Sequence, residues 1–569
     1  VSRSREAENW SDNKNTRLTD SRILNTRINM PKTKYIFISG GVMSSVGKGI
    51  AAASLAKLLQ SKGYRVCPVK CENYLNVDAG TIRPTEHGEV FVCDDGIETD
   101  QDMGTYERFL DVSLSRDNFI TMGQVYQTVI ARERAFGYEG EDVEAIPHLC
   151  DEIINRIKSA GQKMHADVVV VELGGTAGEY QNIFYYEASR IMKLRNKDSV
   201  LHVHVGYLPT PPTVGEMKSK PVQTSVHSLN SMGIQPDFLV ARAERPLDKK
   251  RKERLALFCN MDGKDIISNP DVDSVYDVAL TFEDQQFADR ILKRWRLKSK
   301  PRDMEDWTAL AQTVKTVKEE VPIALVGKYF STGDYVLSDV YISVIESLKY
   351  AGWHHNVKPK FHWVDSEKIE ADGPAKYLKS MAGLVVPGGF GSRGIEGIVQ
   401  AIQYAREQKL PYFGLCYGMQ LATVEVARNL AGLKGANTTE VNPKTKHPVI
   451  HIMPEQEKRL LDRDYGATMR LGAWPAKLVK GSKVYKAYGQ GEISERHRHR
   501  YEFNNKYRNQ LEAAGLKIVG TSPDGHIVEI VELENHPWFV GVQFHPEFKS
   551  RPLRPHPLFR DFVGACLKK

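Results

Sequence analysis

Three side chains in the second half of the chain have the types and the order of a thiol hydrolase. Cys416 stands in LPYFGLCYGMQL, beginning at Leu410, which reads as a short strand, a tight turn and a helix start with Gly414 and Gly418 on either side of the thiol. A sharp strand-to-helix turn of this kind exposes a nucleophile at the top of a sheet, and a helix N-terminus favours the reactive thiolate. Far downstream, GVQFHPEF places His545 and Glu547 after an apolar strand. His545 could take the thiol proton and Glu547 could orient the imidazole, giving a Cys–His–acid set. The glycine-rich turn VPGGFG, Val386 to Gly391, follows an apolar strand and could supply backbone N–H groups to an oxyanion. Singly, a buried thiol or a core histidine is ordinary packing. All three at strand ends are not.

The first half carries a different chemistry. In YIFISGGVMSSVGKGIAAASLAKLLQ, Tyr35 to Gln60, an apolar strand runs into a glycine-rich loop and then an Ala- and Leu-rich helix. Glycines let backbone approach a polyphosphate, the helix N-terminus points free N–H groups at it, and Lys48 adds a charge. The fit to the usual loop is incomplete, because Gly41 and Gly47 enclose five residues and Gly49 follows the lysine where Ser or Thr normally meets magnesium. Asp102, in the acidic loop ETDQD, and Glu172, ending the run DVVVVE before Gly174-Gly175, are the carboxylates available for that ion. Lys218 and Lys220 before Pro221 form a basic pair, either a second triphosphate contact or a solvated turn. The run Arg496-His-Arg-His-Arg500 is too short, and too poor in aromatics, for a nucleic-acid surface; a solvated or ion-paired loop and the rim of the thiol site both remain open.

These groups need two scaffolds. Strands are expected at 35–38, 64–70, 167–172, 199–205 and 238–240, alternating with helices at about 119–135 and 153–160, with an acidic loop at 75–104. Continuous apolar runs between helices imply a parallel sheet buried on both faces, with ligands at the strand C-termini. Residues 297–320 are charged and partly helical, and a second strand–helix pattern begins at Val321. The fold class expected is α/β, two domains, each a mostly parallel sheet flanked by helices: 30–297, a linker at 298–320, and 321–569. Residues 1–29 are polar and mixed in charge, as in a disordered tail or expression remnant.

Composition narrows the classes. The chain has 569 residues, 41% hydrophobic and 26% charged, with a net charge of +7, which suits phosphorylated substrates but is too small to argue for nucleic acid. Seven cysteines without a C-x-x-C pair argue against a disulfide framework or structural zinc and for a reducing, cytoplasmic setting. No apolar run is long enough to span a membrane, and residues 1–29 lack the apolar segment of a secretory signal.

GLCYGMQ, VPGGFGSRG, GVQFHPE and ERHRHRYEFN together resemble the class I glutamine amidotransferases. SGGVMSSVGKGIAAASL, HGEVFVCDDGIETDQDMGTYERF, VELGGTAGE and MKSKPVQTSV resemble the amidoligase domain of the CTP synthase family, and the likeness runs from Met30 to the C-terminus. The resemblance implies a P-loop-type amidoligase that phosphorylates UTP with ATP, and a glutaminase that supplies ammonia to displace the phosphate. It implies Mg2+ on Asp102 and Glu172, with ATP near Ser45, Val46, Gly47, Lys48, Gly49, Ile50, Asp102, Asp271 and Val272. UTP or CTP would lie near Ser44, Lys70, Glu179, Lys218, Lys220, Gln223 and Arg254. Glutamine would lie near Gly389, Tyr417, Gly418, Met419, Gln420, Glu440 and Arg500, with Cys416, His545 and Glu547 catalytic. It further implies GTP as allosteric activator, CTP inhibition, a mobile lid at Gly466–Gly472, internal passage of ammonia, and a homotetramer with filaments in some members. Gln181 stands where the family commonly has an acid, which bears on pyrimidine recognition. Two other readings stay open: an ATP-dependent amidoligase acting on a carboxylate, and a P-loop switch or filament scaffold with an inactive glutaminase half.

Overall fold

The computed structural model describes residues 33–301, 303–328, 331–332, 335–336, 338–453 and 469–568. The tail expected at 1–29 and the first three residues of the lid expected at Gly466–Gly472 lie outside them; of the described remainder, Arg470 to Gly472 begin a strand.

Before residue 300 the strands are β1 Lys34–Gly41, β2 Val66–Glu72, β3 Val90–Val92, β4 Glu98–Asp100, β5 Phe119–Thr121, β6 Val168–Leu173, β7 Val200–Tyr207, β8 Phe238–Ala243 and β9 Ile266–Pro270. Seven form one sheet in the order β5-β2-β6-β1-β7-β8-β9, with every pairing parallel. Every residue of β6 is buried, as its valine run requires of a strand covered on both faces. The central pair β6-β1 brings Glu172 opposite Ile38, so that the acid ends its strand beside the phosphate-type loop.

Two local expectations change. The helix expected over 119–135 starts at Met122, and Phe119–Thr121 is the edge strand β5. β-branched and aromatic residues favour the strand. The Thr121 hydroxyl then caps the helix by accepting from Gln124 N at 3.1 Å. The stretch expected as an acidic loop holds the β3–β4 hairpin, and Asp102 sits in the first turn of a helix, Gln101–Leu110. In that turn the carboxylate gains from the helix dipole and is fixed, as a loop acid would not be.

The second sheet is built from β10 Glu320–Gly327, β13 Lys358–Asp365, β14 Gly383–Val386, β15 Tyr412–Leu415, β18 Arg470–Leu478, β19 Glu492–His499, β21 Leu516–Thr521, β22 Val528–Leu533 and β23 Phe539–Val542, while β11 Ser331–Thr332, β12 Tyr335–Val336, β16 Asn437–Thr438, β17 Pro448–Ile452 and β20 Tyr501–Phe503 form two small sheets beside it. The second sheet runs in the order β13-β10-β14-β15-β23-β22-β21-β18-β19. The pairings from β13 to β23 are parallel, and those from β23 onward to β19 antiparallel. Both halves are therefore α/β. Within 297–320, the helix Glu305–Thr316 buries Trp307 in the core of the first half, tilted against Phe109 and edge-on to Tyr276, so this segment is packed rather than free.

The basic run at Arg496 is neither an exposed loop nor a rim alone. It lies in β19, where alternate residues face opposite ways. Arg496 is fully buried; its guanidinium donates to Glu107 at 2.9 and 3.0 Å and to Asp94 at 2.6 Å, both in the first half. Arg551 donates to the same Glu107 at 2.7 Å, and Arg498 to Glu98 at 2.7 Å. Phe548 packs edge-on against Phe91 with centroids 5.0 Å apart. A buried carboxylate shared by two guanidiniums is stable only while both remain, so these contacts fix the two halves against each other.

Candidate active sites at the strand ends

The Cys416 turn has the geometry that exposes a nucleophile. β15 ends at Leu415, Cys416 has φ 48° and ψ −95°, and the helix Tyr417–Asn429 begins at the next residue. A β-carbon at positive φ costs free energy, and such strain is retained mainly where function needs it. Cys416 N donates to Val542 O at 2.7 Å, which pins the turn to β23. β23 leads directly to His545, whose Nδ1 lies 2.7 Å from Glu547 Oε1. Its Nε2 is buried without a hydrogen-bond partner, and Cys416 and His545 line one cavity. Burial alone pulls the imidazole down, but Glu547 and then Cys416 outweigh it and hold His545 up at about 10. The arrangement thus favours the protonated imidazolium at His545. Replacing Glu547 by Gln removes the largest raising influence, so the His545 pKa falls. If the protonated ring is the acid for a leaving group displaced by the thiol, turnover at this site is lost as pH rises through that pKa. The Glu547→Gln enzyme is expected to lose about 10²-fold in rate and to show its alkaline limb at lower pH, read from kcat against pH.

Around the thiol, Gln420 Nε2 donates to Tyr501 O at 2.9 Å, and Gln543 Nε2 lies 3.5 Å from Cys416 Sγ. Gly388 and Gly389 line the cavity with Cys416. Gly418 and Met419 are buried in the helix after the thiol. Glu440 Oε1 accepts from Gly391 N at 2.7 Å. Lys328, which no sequence motif marks, donates to Gly391 O at 2.5 Å and Phe390 O at 3.3 Å, and lies over the Tyr417 ring at 4.5 Å. It ties together two carbonyls of the turn after β14. Burial lowers its pKa to about 8 against the pull of Glu440. Arg500 follows β19, and its carbonyl accepts from Met453 N at 3.0 Å.

In the first half, Lys70 is the centre of a buried acid cluster. Its Nζ lies 2.8 Å from Asp102, 2.9 Å from Glu172 and 3.1 Å from Glu72. Tyr106 donates to the other Glu172 oxygen, and Lys48 donates to Gly175 O. Burial works against the Lys70 charge, yet Asp102 and Glu172 hold its pKa well above the ordinary range. Burial likewise opposes the Asp102 charge, but Lys70 outweighs it and keeps that carboxyl low. Lys48 is lowered by burial, against the pull of Glu172. Glu72 is pushed up to about 7 by burial, with Lys70 opposing.

This cluster explains the missing hydroxyl. A β-carbon on Gly49 would meet Asp102 Oδ1 at 2.7 Å and Glu172 Oε2 at 3.5 Å. The carboxylates stand where a Ser or Thr side chain would go. Three acids against Lys48 and Lys70 leave an excess of oxygen ligands and negative charge, which fits a divalent cation. Restoring the usual loop residue should therefore harm this site: Gly49→Ser is expected to cut the rate of the reaction carried by this site by about 10²-fold, measured as its initial rate.

The other residues singled out in the sequence are more dispersed. Ser44 and Ser45 are exposed on the loop, Val46 is buried beneath it, and Gly47 precedes the helix. Asp271 accepts from Arg242 at 2.9 Å, and the Arg242 side chain reaches within 3.8 Å of where a Gly47 β-carbon would be; Ile50 and Val272 pack on the same core. Glu179 accepts from Thr176 N at 2.9 Å, and Gln223 donates to Ser219 at 3.0 Å. Lys218 pairs with Glu216 at 2.8 Å, Lys220 is exposed at a helix start, and Arg254 lies over Phe258 at 5.7 Å. Lys218 and Arg254 thus make contacts on their own surface segment, not in the Lys70 cluster.

A family model described as CTP synthase N-terminus matches residues 34–297, and one for glutamine amidotransferase class-I matches residues 336–565. The CTP synthase of Carboxydothermus hydrogenoformans is 50% identical over 537 residues, spanning 94% of this chain and 99% of that protein. The chain belongs to the CTP synthase family. Another member, from Bacillus licheniformis, is 48% identical over 537 residues, 94% of this chain and 99% of its own. Among solved structures, the glutaminase domain of Trypanosoma brucei CTPS with bound acivicin is 38% identical, covering 44% of this chain and 94% of that one at a TM-score of 0.41. No helix among the described residues is long and apolar enough to cross a membrane. Beside the shared motifs of the family, sequence reasoning missed Glu72, Tyr106 and Lys328. Each is a single residue with no characteristic spacing, brought into place by the fold.

Proposed function

We propose that this protein converts UTP to CTP using ATP and the amide nitrogen of glutamine, with residues 30–297 as the amidoligase, 298–320 as a linker and 321–569 as the glutaminase. The observation that carries the reading is the pairing of two strand-end sites of different chemistry in one rigid frame: a lysine–carboxylate phosphate site and a Cys–His–Glu nucleophile. In the second half, Cys416 Sγ attacks the glutamine amide carbon, and the oxyanion is met by N–H groups of the turn at Gly388-Gly389. His545 gives its proton to the departing nitrogen, which leaves as ammonia. The same ring then takes a proton from water, which hydrolyses the thioester to glutamate. Tyr417, Gly418, Met419, Gln420, Glu440 and Arg500 line and orient the amino-acid portion.

In the first half, the uracil O4 attacks the γ-phosphorus of ATP and ADP departs. Ammonia then adds at C4, and inorganic phosphate leaves with the former O4. Phosphoryl transfer needs alignment and charge neutralisation above all. Lys48 and Lys70 meet the phosphates, and Asp102 and Glu172 would hold Mg2+, which supplies charge neutralisation when bound. ATP lies along Ser45 to Ile50 with Asp271 and Val272. UTP lies along Ser44, Lys70, Glu179, Lys218, Lys220, Gln223 and Arg254, several of which face an open surface that a neighbouring subunit of a homotetramer would complete. GTP activation, CTP inhibition, filament formation and a cytoplasmic setting belong to the same reading. UTP labelled with oxygen-18 at O4 tests the chemistry: the label is expected in inorganic phosphate, and label released into water instead would exclude O4 phosphorylation.

A further inference from the structure

The turn that faces the thiol, Gly388 to Gly391, is held by a lysine from a different strand. β10 and β14 run parallel and side by side, with Ala324 opposite Leu384 and Leu325 opposite Val385. Both chains therefore leave the sheet at the same end, β10 into Lys328 and β14 into the turn. Lys328 is 9% exposed, and its ammonium donates to Gly391 O at 2.5 Å, to Phe390 O at 3.3 Å and to the Tyr417 hydroxyl at 3.2 Å. The Tyr417 hydroxyl donates to the same Gly391 O at 2.8 Å. From the other side, Glu440 Oε1 accepts from Gly391 N at 2.7 Å. The peptide between Phe390 and Gly391 thus has a cation at its carbonyl and a carboxylate at its N–H, so both ends of its dipole are fixed. Gly391 has φ 81°, a left-handed conformation that glycine adopts without strain.

What this clamp orients is the front of the turn. A β-carbon on Gly388 would lie 2.8 Å from His545 Cε1, and one on Gly389 3.6 Å from Tyr417 Cδ1, so the turn passes between the two rings. Both glycines line the cavity with Cys416. Among the described residues, neither of their N–H groups donates to protein. Two successive glycines rotate their peptides at little steric cost, and nothing in their own side chains opposes it. Anchoring the next two carbonyls removes that freedom.

We propose that Lys328 is a positioning residue for acyl transfer at Cys416: by fixing the carbonyls of Phe390 and Gly391 it holds the Gly388 and Gly389 N–H groups where the oxyanion forms. The inference deepens the proposed function and rests on its assignment of that turn to the oxyanion. Donors set in place before the charge develops lower the barrier, whereas donors that must first turn towards it do not. The thiol is placed by other contacts, the Cys416 N–H bond to Val542 O and the helix that follows. Loss of Lys328 should therefore slow the step that builds an oxyanion and spare the other reactions of the thiol.

The test separates those two kinds of reaction. Lys328→Met keeps the length of the side chain and removes its charge and donors. Glutamine hydrolysis is measured with UTP, ATP, magnesium and GTP present, and alkylation of Cys416 by iodoacetamide is followed on its peptide by mass spectrometry. Alkylation forms the S–C bond as iodide leaves a saturated carbon, so it builds no oxyanion. Lys328→Met is expected to lower kcat for glutamine by about 10²-fold with KM changed less than about three-fold, and to alkylate within about two-fold of the wild-type rate. Lys328→Arg, which keeps the charge and the donors, should recover about ten-fold of the loss. Tyr417→Phe deletes the second donor to Gly391 O, should show the same split in smaller measure, and serves if Lys328→Met folds poorly. Hydrolysis and alkylation falling together would make Lys328 a general support of the site. A raised KM with kcat unchanged would make it a glutamine-binding cation, and no change in either would remove it from the reaction. Each of these overturns the positioning role and leaves the proposed function standing. A wild-type enzyme that hydrolyses no glutamine overturns both.

Discussion

Cys416→Ala should lose glutamine-dependent CTP formation by about 10^4-fold or more and keep ammonia-dependent CTP formation at the wild-type rate. The expectation follows from where the thiol sits. Cys416 is held at positive φ by β15, the helix after it and its hydrogen bond to Val542, and those restraints come from backbone. Alanine keeps the backbone and deletes only Sγ, so the fold and the first-half site should be untouched. His545 would lose the neighbouring sulfur that helps hold its pKa at about 10 but keep Glu547. Steady-state rates with glutamine and with ammonium chloride, on the same preparation, check it. A variant that loses both activities would place Cys416 in the structural core, and one that loses neither would remove it from catalysis.

Lys48→Ala should abolish CTP formation from both donors, by about 10²- to 10³-fold, while glutamine hydrolysis persists. Lys48 lies at the start of the helix after the phosphate-type loop, and burial already lowers its pKa. An ammonium so placed favours a bound polyphosphate strongly, since without one it is only partly offset by Glu172 and the Gly175 carbonyl. Removing it leaves Lys70 as the cation among Glu72, Asp102 and Glu172, all of which it already contacts. Initial rates against ATP concentration separate the outcomes: a lowered kcat marks loss at the transferring phosphate, and a raised KM alone would assign Lys48 to ground-state binding.

How much of this was legible in the sequence differs between the sites. The valine run ending at Glu172 could only be a buried central strand, and the helix after Lys48 follows from its Ala and Leu content, so the parallel sheet of the first half was readable. The thiol turn was readable because Gly414 and Gly418 flank Cys416 in a strand-to-helix pattern. The antiparallel half of the second sheet was not, because β18, β19 and β21 are mixed in polarity and the strands are separated by many turn residues. Nor was the role of Arg496. In sequence it is one of five basic or imidazole residues in a row, and only strand alternation together with a buried Glu107 from the other half turns it inward. The same holds for Gly49. Sequence shows a missing hydroxyl; the fold shows carboxylates filling its place.

The central claim is that two separate sites make one product from UTP, and one assay addresses it. The purified protein, given UTP, ATP and magnesium, is followed by the absorbance change on conversion of the uridine to the cytidine nucleotide, with glutamine and then ammonia as donor. The account predicts CTP from both donors in the wild-type enzyme, from ammonia alone in Cys416→Ala, and from neither in Lys48→Ala. No CTP from ammonia in the wild-type enzyme, or equal glutamine-dependent rates in wild type and Cys416→Ala, would contradict it.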